Sequence, residues 1–336
     1  MKEKGLLLIS GLDSILAGKV LHNAGVPLEI IYFHIPFCTC IDKDLECKMK
    51  SKLGQITAEV FNSVLRIIEV KEDYLPILKN PKHGYGKNMN PCIDCKVFMF
   101  KEAKKYMSKF NAAYLVTGEV LGERPMSQNR GALDLIEKES DLEGSILRPL
   151  SAKLMPETHP EKEGWVDRDK LFSIQGRSRK KQMELASEYE IVDYPTPSGG
   201  CLLTDPGFSR RLKDLMEYKP DFTLRDISLL KLGRHFRMSE SLKFIVGRDE
   251  TENNNLEQFF NKDLDVFLMP LNIPGPSALA VGIGFEDRIL NLSEIVVSYC
   301  KVGNIEQVDI KVVSRNGESI LKTKSKDRDI LKDLRI

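Results

Sequence analysis

Several features that would assign a chain to a broad class are absent from this sequence of 336 residues. No apolar run approaches the roughly 18 residues that a membrane-spanning helix needs. The first apolar run breaks at Gly11 and Asp13, too early for a signal peptide. We therefore expect a cytoplasmic protein without a membrane partner. Charge of one sign is not in excess either, because the net charge is +1, so any surface that attracts nucleic acid has to be local.

The order of apolar and helical stretches predicts two domains, since the chain is too long for one ordinary core. From "GLLLIS" through about residue 195, short buried-strand runs alternate with stretches of helical periodicity. This predicts an α/β domain with a doubly wound, mainly parallel sheet over residues 1–206. A Pro- and Gly-rich stretch ends it. Short strands with turns then predict a smaller α+β domain over residues 207–336.

The first strand-to-helix turn, Ser10 to Ser14, has the composition of an anion-binding loop. In a doubly wound sheet, ligands bind at the carboxyl ends of the strands. Gly11 permits a tight turn, and the amides that follow, the helix N-terminus and two hydroxyls can face an anion. Asp13 would repel phosphate unless Mg²⁺ lies between them, so it indicates a magnesium–nucleotide complex. The ending of a Walker loop is missing, and an ordinary capped turn is the alternative.

The cysteines are clustered, which in a chain without a secretion signal indicates metal or catalytic use more than disulfides. Cys92 and Cys95 form a CxxC pair ahead of a predicted helix, and Cys300 is predicted to be a small buried residue. For the pair, a redox role, a persulfide, a plain loop and a zinc site are open. A zinc ion bound to this pair would need a further ligand, either His83 or one of the cysteines upstream near His34. Those upstream cysteines could themselves bind a metal or take part in sulfur transfer. The remaining cysteines are Cys38, Cys40, Cys47 and Cys201.

Two levels of resemblance extend this interpretation. The turn resembles the SGGxDS loop of the ATP pyrophosphatase (PP-loop) superfamily, with Ile9-Ser10-Gly11 at its Ser-Gly-Gly positions. The longer stretches "NPCIDCKVFMFKEAKKYM", "AAYLVTGEVLGERPMSQNRGALDLI" and "LRPLSAK" resemble the catalytic domain of tRNA thiolases, the 4-thiouridine synthetase group in particular. Glu123 stands where that group usually has Gln. The resemblance covers roughly residues 5–205.

The resemblance implies an enzyme that uses ATP and Mg²⁺ to adenylate a uridine carbonyl in tRNA and then replaces its oxygen with sulfur. It also implies that three cysteines hold a [4Fe–4S] cluster with one open iron, and these are Cys92, Cys95 and Cys201. Together with Asp13 they are the candidate catalytic residues. The sulfur donor would be sulfide, a cysteine desulfurase or another persulfide carrier, and a homodimer is an open option. Gln128 is a further candidate for orienting nucleotide or base. The candidate ATP-binding residues are Ser10, Gly11, Leu12, Asp13, Ser14, Phe33, Thr117, Gly118 and Glu119.

Two basic stretches flank Cys201 and predict contact with RNA phosphates. The C-terminal part resembles the RNA-binding domain called NFACT-R, on its "GRD-x-x-EN" turn, a "DVFL" strand and Pro274-Gly275. The His that the family has after this Pro-Gly is missing, and a supporting scaffold without RNA contact is the alternative. The candidate RNA-binding residues are Arg177, Arg179, Lys180, Lys181, Arg210 and Arg211.

Two rival functions remain at this point. A small-molecule synthetase of the same superfamily would need neither a cluster nor an RNA domain. A non-catalytic RNA-binding protein with a decayed phosphate loop is supported by the missing glycine at Ser10.

Overall fold

A computed structural model gives the fold as two compact units, Met1–Thr204 and Asp205–Ile336. Cys40 and Cys47 lie outside the described residues. Every helix within these residues is too short or too polar to cross a membrane. The described residues are 2–38, 48–195, 201–302, 306–329 and 331–336.

The first unit alternates strands and helices from its beginning. Short 3₁₀ turns, including Leu202–Thr204, lie between some of the elements. The strands are β1 (Gly5–Leu8), β2 (Leu28–His34), β3 (Leu65–Glu69), β4 (Tyr114–Val116) and β5 (Ile146–Leu147). The helices are α1 (Leu12–Asn23), α2 (Lys48–Phe61), α3 (Leu75–Lys79), α4 (Cys92–Phe110), α5 (Arg130–Glu139), α6 (His159–Lys162) and α7 (Lys180–Glu188).

Within the described residues, the five strands of this unit form one sheet in the order β3-β2-β1-β4-β5, and all of its pairs are parallel. The order reverses at β1, so the chain winds first to one side of that strand and then to the other. Side chains of β2 show that both faces are covered: Tyr32 joins the core around α1, whereas the Phe33 ring contacts Tyr106 of α4 edge-on. The predicted doubly wound parallel fold is confirmed.

Local sequence explains where α1 begins and ends. Gly11 caps its N-terminus in an extended conformation. Gly25 follows its C-terminus with a φ of +69°, a left-handed conformation that favours glycine. The Gly25 amide donates to the His22 carbonyl at 2.9 Å, which satisfies one of the terminal carbonyls of the helix. The helix therefore ends where the sequence allows the chain to turn back into β2.

The second unit is built on antiparallel pairing. A short 3₁₀ turn, Glu286–Arg288, precedes its last helix. Its strands are β6 (Arg234–Ser239), β7 (Leu242–Val246), β8 (Asp265–Pro270), β9 (Ala278–Gly282), β10 (Val308–Ser314) and β11 (Gly317–Thr323). Its helices are α8 (Pro206–Tyr218), α9 (Leu224–Leu229), α10 (Glu250–Phe259) and α11 (Ile289–Ser298).

In the described part of this unit, the strands form a six-stranded sheet in the order β11-β10-β8-β9-β7-β6. All of its pairs are antiparallel. The Asn-Gly pair closes the β10–β11 hairpin, because Ser314 and Gly317 are its last partners. Leu292 and Val296 of α11 are buried in the core formed by this sheet. The predicted smaller α+β fold is confirmed.

A buried ionic network connects three segments of the first unit. Glu119, which follows β4, accepts a hydrogen bond from Nε of Arg148 at 2.9 Å and is paired with Lys96 of α4. Arg148, only 2% exposed, is also paired with Glu137 of α5. Burial acts to raise the pKa of Glu119, but the charges of Lys96 and Arg148 outweigh it and lower the pKa to about 2.

We expect Glu119→Gln to destabilise the protein by about 3–5 kcal/mol, because two buried cations would lose their shared counter-charge. The pKa of Glu119 is lowered from 4.5 to about 2, so the carboxylate stabilises the fold above pH 4.5, and this stabilisation disappears as the pH falls towards 2. Urea unfolding at pH 7 and pH 3 would measure both effects. The matched control is Asp134→Asn, which breaks the exposed pair with Arg130 and should cost less than about 1 kcal/mol. Equal destabilisation by the two substitutions would contradict the prediction.

Candidate functional site

The candidate catalytic residues lie at the carboxyl edge of the parallel sheet. The phosphate loop follows β1, and Thr117 and Gly118 follow β4 directly. His34 and Glu69 are the last residues of β2 and β3. Because the strands are parallel, these four ends meet at one edge, where an open α/β sheet binds its ligands.

The hydroxyl of Ser14 closes the phosphate loop from within. Its Oγ accepts hydrogen bonds from the amides of Ser10 at 2.8 Å and Gly11 at 3.1 Å, and donates to the Gly11 carbonyl at 2.7 Å. Ser14 is buried whereas Ser10 is exposed. The two serines of the motif therefore differ: Ser14 shapes the loop, and Ser10 is the one whose side chain faces outward.

Gly118 is required by the close approach of the segment after β4 to the phosphate loop. A Cβ at this position would lie 2.2 Å from the Ser14 amide nitrogen and 2.4 Å from the Asp13 carbonyl carbon. A side chain there would displace the loop backbone. At Gly11, by contrast, a Cβ would meet nothing within 4 Å, so its surroundings are open on the side facing away from the core.

Asp13 is paired with a cation from a distant segment. Nη2 of Arg179 lies 2.9 Å from Oδ1 of Asp13, and its Nη1 lies 3.5 Å from Oε1 of Glu123. Burial and the charge of Glu123 raise the pKa of Asp13 to about 6, although Arg179 and Arg124 lower it. Arg179 reaches this position because the Gly176 amide donates to the Leu121 carbonyl at 2.7 Å. Cations and carboxylates thus surround the loop that is predicted to bind magnesium and phosphate.

The three candidate cysteine ligands come from two segments that are hydrogen-bonded to each other. Cys92 and Cys95 occupy the first turn of α4. Cys201 directly precedes the Leu202–Thr204 turn, which is fixed by two contacts: the Met89 amide donates to the Leu203 carbonyl at 3.1 Å, and Asn88 Nδ2 donates to the Thr204 carbonyl at 2.7 Å. The chain therefore returns to the start of α4 more than a hundred residues later.

The thiols are close enough to affect one another electrostatically. Burial raises the pKa of Cys95 to about 12; the Tyr74 hydroxyl lowers it, and Cys201 and Cys92 raise it further. Burial also raises the pKa of Cys201 to about 11, and the charges of Cys92 and Cys38 act in the same direction. Thiols of this kind are ligands that soft metals bind as thiolates, with release of their protons.

No group of three or more His, Cys, Asp or Glu side chains in the described residues could hold a single metal ion as they are arranged. His83, the candidate fourth zinc ligand, has both ring nitrogens engaged: Nδ1 lies 3.2 Å from Asp94 and Nε2 lies 3.1 Å from Glu139. The zinc alternative with His83 therefore has no support from these contacts, and a cluster bound by Cys92, Cys95 and Cys201 stays a prediction that rests on the three residues being thiols.

Other candidate residues lie near the same edge with their polar atoms already engaged. Both carboxylate oxygens of Glu119 bind cations, as described above. Thr117 Oγ1 donates to Glu119 at 3.3 Å, and Oε1 of Gln128 accepts from the Arg124 amide at 3.1 Å. Phe33 is buried against Tyr106. Their assignment to nucleotide binding stays a prediction.

The residues of the first basic stretch, 177–181, do not all lie in the same surroundings. Arg179 belongs to the phosphate loop surroundings. Lys180 and Lys181 open α7, with Lys181 paired to Glu184 at 3.1 Å. Arg177 is exposed. RNA contact by these four residues stays a prediction, and the ion pair with Asp13 gives Arg179 a second role to be tested.

In the second unit, a cavity of about 310 Å³ is surrounded by cations. Arg210 and Arg211 of α8 meet there with four basic residues from distant parts of the sequence, and no acidic side chain is among the described residues that line it. Burial and the charge of Arg248 lower the pKa of Arg211. Like charges held this close attract an anion with several phosphates. The six basic residues, called here the cationic cavity, are Arg210, Arg211, Arg234, Arg248, Lys332 and Arg335.

Several residues of both sites were not predicted from the sequence. Lys96 stands beside Cys95 and pairs with Glu119, and the chain periodicity of α4 could have placed it on the same side as Cys92. Arg234 and Arg335 belong to the cationic cavity but are isolated basic residues in the sequence. No short-range signal identifies them, because the sheet of the second unit is what gathers them.

Each of the two parts of the chain matches a known protein family model. Residues 1–153 match the family model of the thiamine biosynthesis protein ThiI, and residues 233–333 match that of the NFACT protein RNA binding domain. The chain thus contains a segment similar to ThiI followed by a segment similar to the NFACT RNA binding domain. The predicted resemblance is thereby confirmed for both parts.

Two curated relatives match the ThiI-type part. The probable tRNA sulfurtransferase of Thermococcus kodakarensis is 32% identical over 145 residues, which are 43% of this chain and 35% of that protein. Its counterpart in Brevibacillus brevis is 33% identical over 156 residues, which are 44% of this chain and 34% of that protein. The matches thus span about a third of the length of these relatives.

Solved structures resemble the chain only distantly. The C-terminal part of the fibronectin/fibrinogen-binding protein from Streptococcus suis has 11% identity and a TM-score of 0.28, covering 47% of this chain and 79% of that chain. NMN synthetase from Francisella tularensis has 13% identity and a TM-score of 0.34, covering 68% of this chain and 84% of that chain. At these scores neither likeness supports a conclusion.

We expect Asp13→Asn to raise the thermal stability of the protein while weakening the binding of Mg²⁺–ATP. The pKa of Asp13 is raised from 3.8 to about 6, so the folded state binds this proton more tightly, and the stability that the group contributes falls as the pH rises from 3.8 to 6. At pH 8 the variant should therefore unfold at a higher temperature than the wild type. Binding of Mg²⁺–ATP, measured by calorimetry, should weaken in the wild type by about tenfold for each pH unit below 6.

In Asp13→Asn the pH dependence of Mg²⁺–ATP binding below 6 should be absent and the affinity should be low throughout. Asp134→Asn serves again as the control, because its carboxylate is exposed on α5. A variant that binds Mg²⁺–ATP as tightly as the wild type would contradict the role of Asp13.

Proposed function

We propose that this chain is an ATP-dependent tRNA sulfurtransferase that adenylates a uridine carbonyl and replaces its oxygen with sulfur, forming 4-thiouridine, with 2-thiouridine as the other candidate product. The observation that carries the proposal is that the Ser10–Ser14 loop follows β1 and that the segment with Cys201 is hydrogen-bonded to the start of α4, where Cys92 and Cys95 lie. The names of the two curated relatives support the reaction class.

In the adenylation step the uridine oxygen attacks the α-phosphorus of ATP, and the bond to pyrophosphate breaks. The amides at the N-terminus of α1 (Leu12–Asn23) would stabilise the charge that develops on the leaving pyrophosphate. Asp13 would hold Mg²⁺, and Arg179, 2.9 Å from Asp13, would neutralise a phosphate oxygen. The oxygen of the base thereby becomes part of AMP, a good leaving group.

In the second step a sulfur nucleophile attacks the activated ring carbon and AMP leaves. A [4Fe–4S] cluster bound by Cys92, Cys95 and Cys201 would supply bound sulfide at an open iron. The residues of the chain contribute by placing this sulfur source beside the loop: Cys92 donates a hydrogen bond to Ser127 Oγ at 3.2 Å, and Lys96 carries a positive charge next to Cys95. Sulfur and activated base would then meet without diffusing apart.

Nucleoside mass spectrometry tests the reaction directly. Bulk tRNA from a strain lacking this gene should lack one thiolated uridine, and the wild-type chain should restore it. Cys201→Ala should restore none, because the loss of one thiolate ligand removes the cluster. Iron content of the purified, anaerobically reconstituted protein should fall in parallel.

Cys300→Ala is the matched control, because Cys300 is a buried thiol of the second unit and should leave both iron and thionucleoside unchanged. Persistence of every thionucleoside in the deletion strain would overturn the proposal and favour the small-molecule synthetase. Restoration by Cys201→Ala would overturn the cluster ligand while leaving the reaction class intact.

For the substrate, we propose that the cationic cavity of the second unit binds RNA phosphates. Replacing Arg210 and Arg335 by Ala, both exposed residues of this cavity, should weaken tRNA binding. The slope of the logarithm of affinity against that of salt concentration should fall by roughly one unit for each phosphate that the variant no longer binds. Fluorescence anisotropy with labelled tRNA between low and moderate salt measures both quantities.

The control is Lys322→Ala with Lys324→Ala, which removes the same charge from exposed positions at the end of β11. If the cavity binds RNA, the control changes the slope much less than the Arg210 and Arg335 variant. Identical slopes for the two double variants would mean that only net charge matters and would contradict a phosphate site in the cavity.

A further inference from the structure

A hydrogen-bonded chain of three residues lies at the carboxyl edge of the first sheet. The last residues of β2 and β3, His34 and Glu69, are register partners. Nδ1 of His34 lies 2.7 Å from Oε2 of Glu69, and its Nε2 lies 3.0 Å from Sγ of Cys38. His34 is buried, whereas Cys38 is partly exposed. A thiol, an imidazole and a carboxylate therefore stand in the order in which nucleophilic cysteines are activated.

The charge on Glu69 fixes the direction of these hydrogen bonds. Burial acts to raise the pKa of Glu69, but hydrogen bonds from Lys50 and His34 outweigh it and hold the pKa below its usual value. An ionised carboxylate only accepts hydrogen bonds, so Nδ1 of His34 carries the proton between them. Nε2 of the neutral ring is then the acceptor that faces the thiol of Cys38. In this arrangement His34 can take the proton of Cys38.

The position of Cys38 connects it to the candidate sulfur site. The Phe37 carbonyl accepts a hydrogen bond from the Leu202 amide at 3.0 Å, so the neighbours of these two residues, Cys38 and Cys201, lie on adjoining segments. The charge of Cys38 also acts to raise the pKa of Cys201. The thiol of Cys38 thus lies near Cys201, a candidate cluster ligand.

We propose that Cys38, activated by His34 and Glu69, is the point at which sulfur enters the chain, accepting a sulfane sulfur from a hydropersulfide donor. The inference rests on the proposed sulfurtransferase function and names its donor class. Cys38 Sγ attacks the terminal sulfur of R–S–S–H, and the S–S bond of the donor breaks as a new one forms. His34 takes the proton of Cys38 and passes it to the departing R–S⁻, so the products are Cys38–S–SH and R–SH, with no net oxidation.

Glutathione persulfide added to the full 336-residue chain is the test. Tandem mass spectrometry of the digest should find one added sulfur on Cys38 before Cys40, which shares its peptide. His34→Gln should slow this transfer about a hundredfold or more, because general bases contribute at least that factor. Glu69→Gln, which still accepts from Nδ1, should slow it less. Cys40→Ser is the matched control and should leave the rate at Cys38 unchanged.

The pH dependence of the reactivity of Cys38 shows whether His34 activates the thiol or only packs against it. In the wild type the rate of Cys38 alkylation by iodoacetamide should stay high to a lower pH than in His34→Gln. In His34→Gln it should fall by about tenfold for each pH unit below an ordinary thiol pKa of roughly 8.5. Thermal unfolding of each variant shows whether it is folded. Equal rates and equal pH profiles in wild type and folded His34→Gln would overturn the inference, as would labelling of Cys40 ahead of Cys38.

Failure of this inference is distinguishable from failure of the proposed function. If thionucleosides depend on Cys201 while Cys38 reacts like an ordinary thiol, the proposed sulfurtransferase function is supported and sulfur does not enter through Cys38. If Cys38 accepts sulfur rapidly but the deletion strain keeps every thionucleoside, the activation of Cys38 is supported and the proposed tRNA reaction is contradicted.

Discussion

A buried carboxylate shared by two cations is the interaction on which the arrangement of the first unit depends. Glu119 leaves the sheet just after β4 and is held between Lys96, beside the CxxC pair, and Arg148, which follows β5. The ion pairs therefore fix the start of the cysteine-bearing helix relative to the strand that supports the phosphate loop. Charges buried this deeply are tolerated only when every partner is present, so the three segments are positioned together or not at all.

Parallel strands put the chemistry of this unit in one place. Each strand delivers its last residues to the same edge, so a loop after β1, a glycine after β4 and an imidazole at the end of β2 become neighbours although they are far apart in the sequence. The antiparallel second unit gathers residues differently. Its cationic cavity draws on α8, β6 and the segment near residue 335, and it presents charge without nucleophiles. In the proposed function, the first unit would carry out the reaction and the second would bind the RNA phosphates.

The sequence was sufficient where the signal is local. The β1–loop–α1 unit, the CxxC at a helix start, the Asn-Gly hairpin and the two fold classes follow from periodicity and turn residues over short windows. The contacts of His34 with Glu69 could not be predicted, because they depend on the register of two strands whose ends are 35 residues apart. For Glu119 the sequence motif predicted contact with a ligand, whereas in the structure both of its carboxylate oxygens form ion pairs. A motif gives residue types, and only the fold gives their partners.

The pair between Arg179 and Asp13 gives the loop a property beyond its shape. The guanidinium already lies against a carboxylate at 2.9 Å, and the Ser14 hydroxyl already receives two loop amides. In the proposed function, a phosphate that enters the loop would therefore replace these internal hydrogen bonds and ion pairs with contacts of its own. If the loop binds phosphate as proposed, it would discriminate against small anions such as inorganic phosphate and would favour a ligand large enough to form further contacts elsewhere.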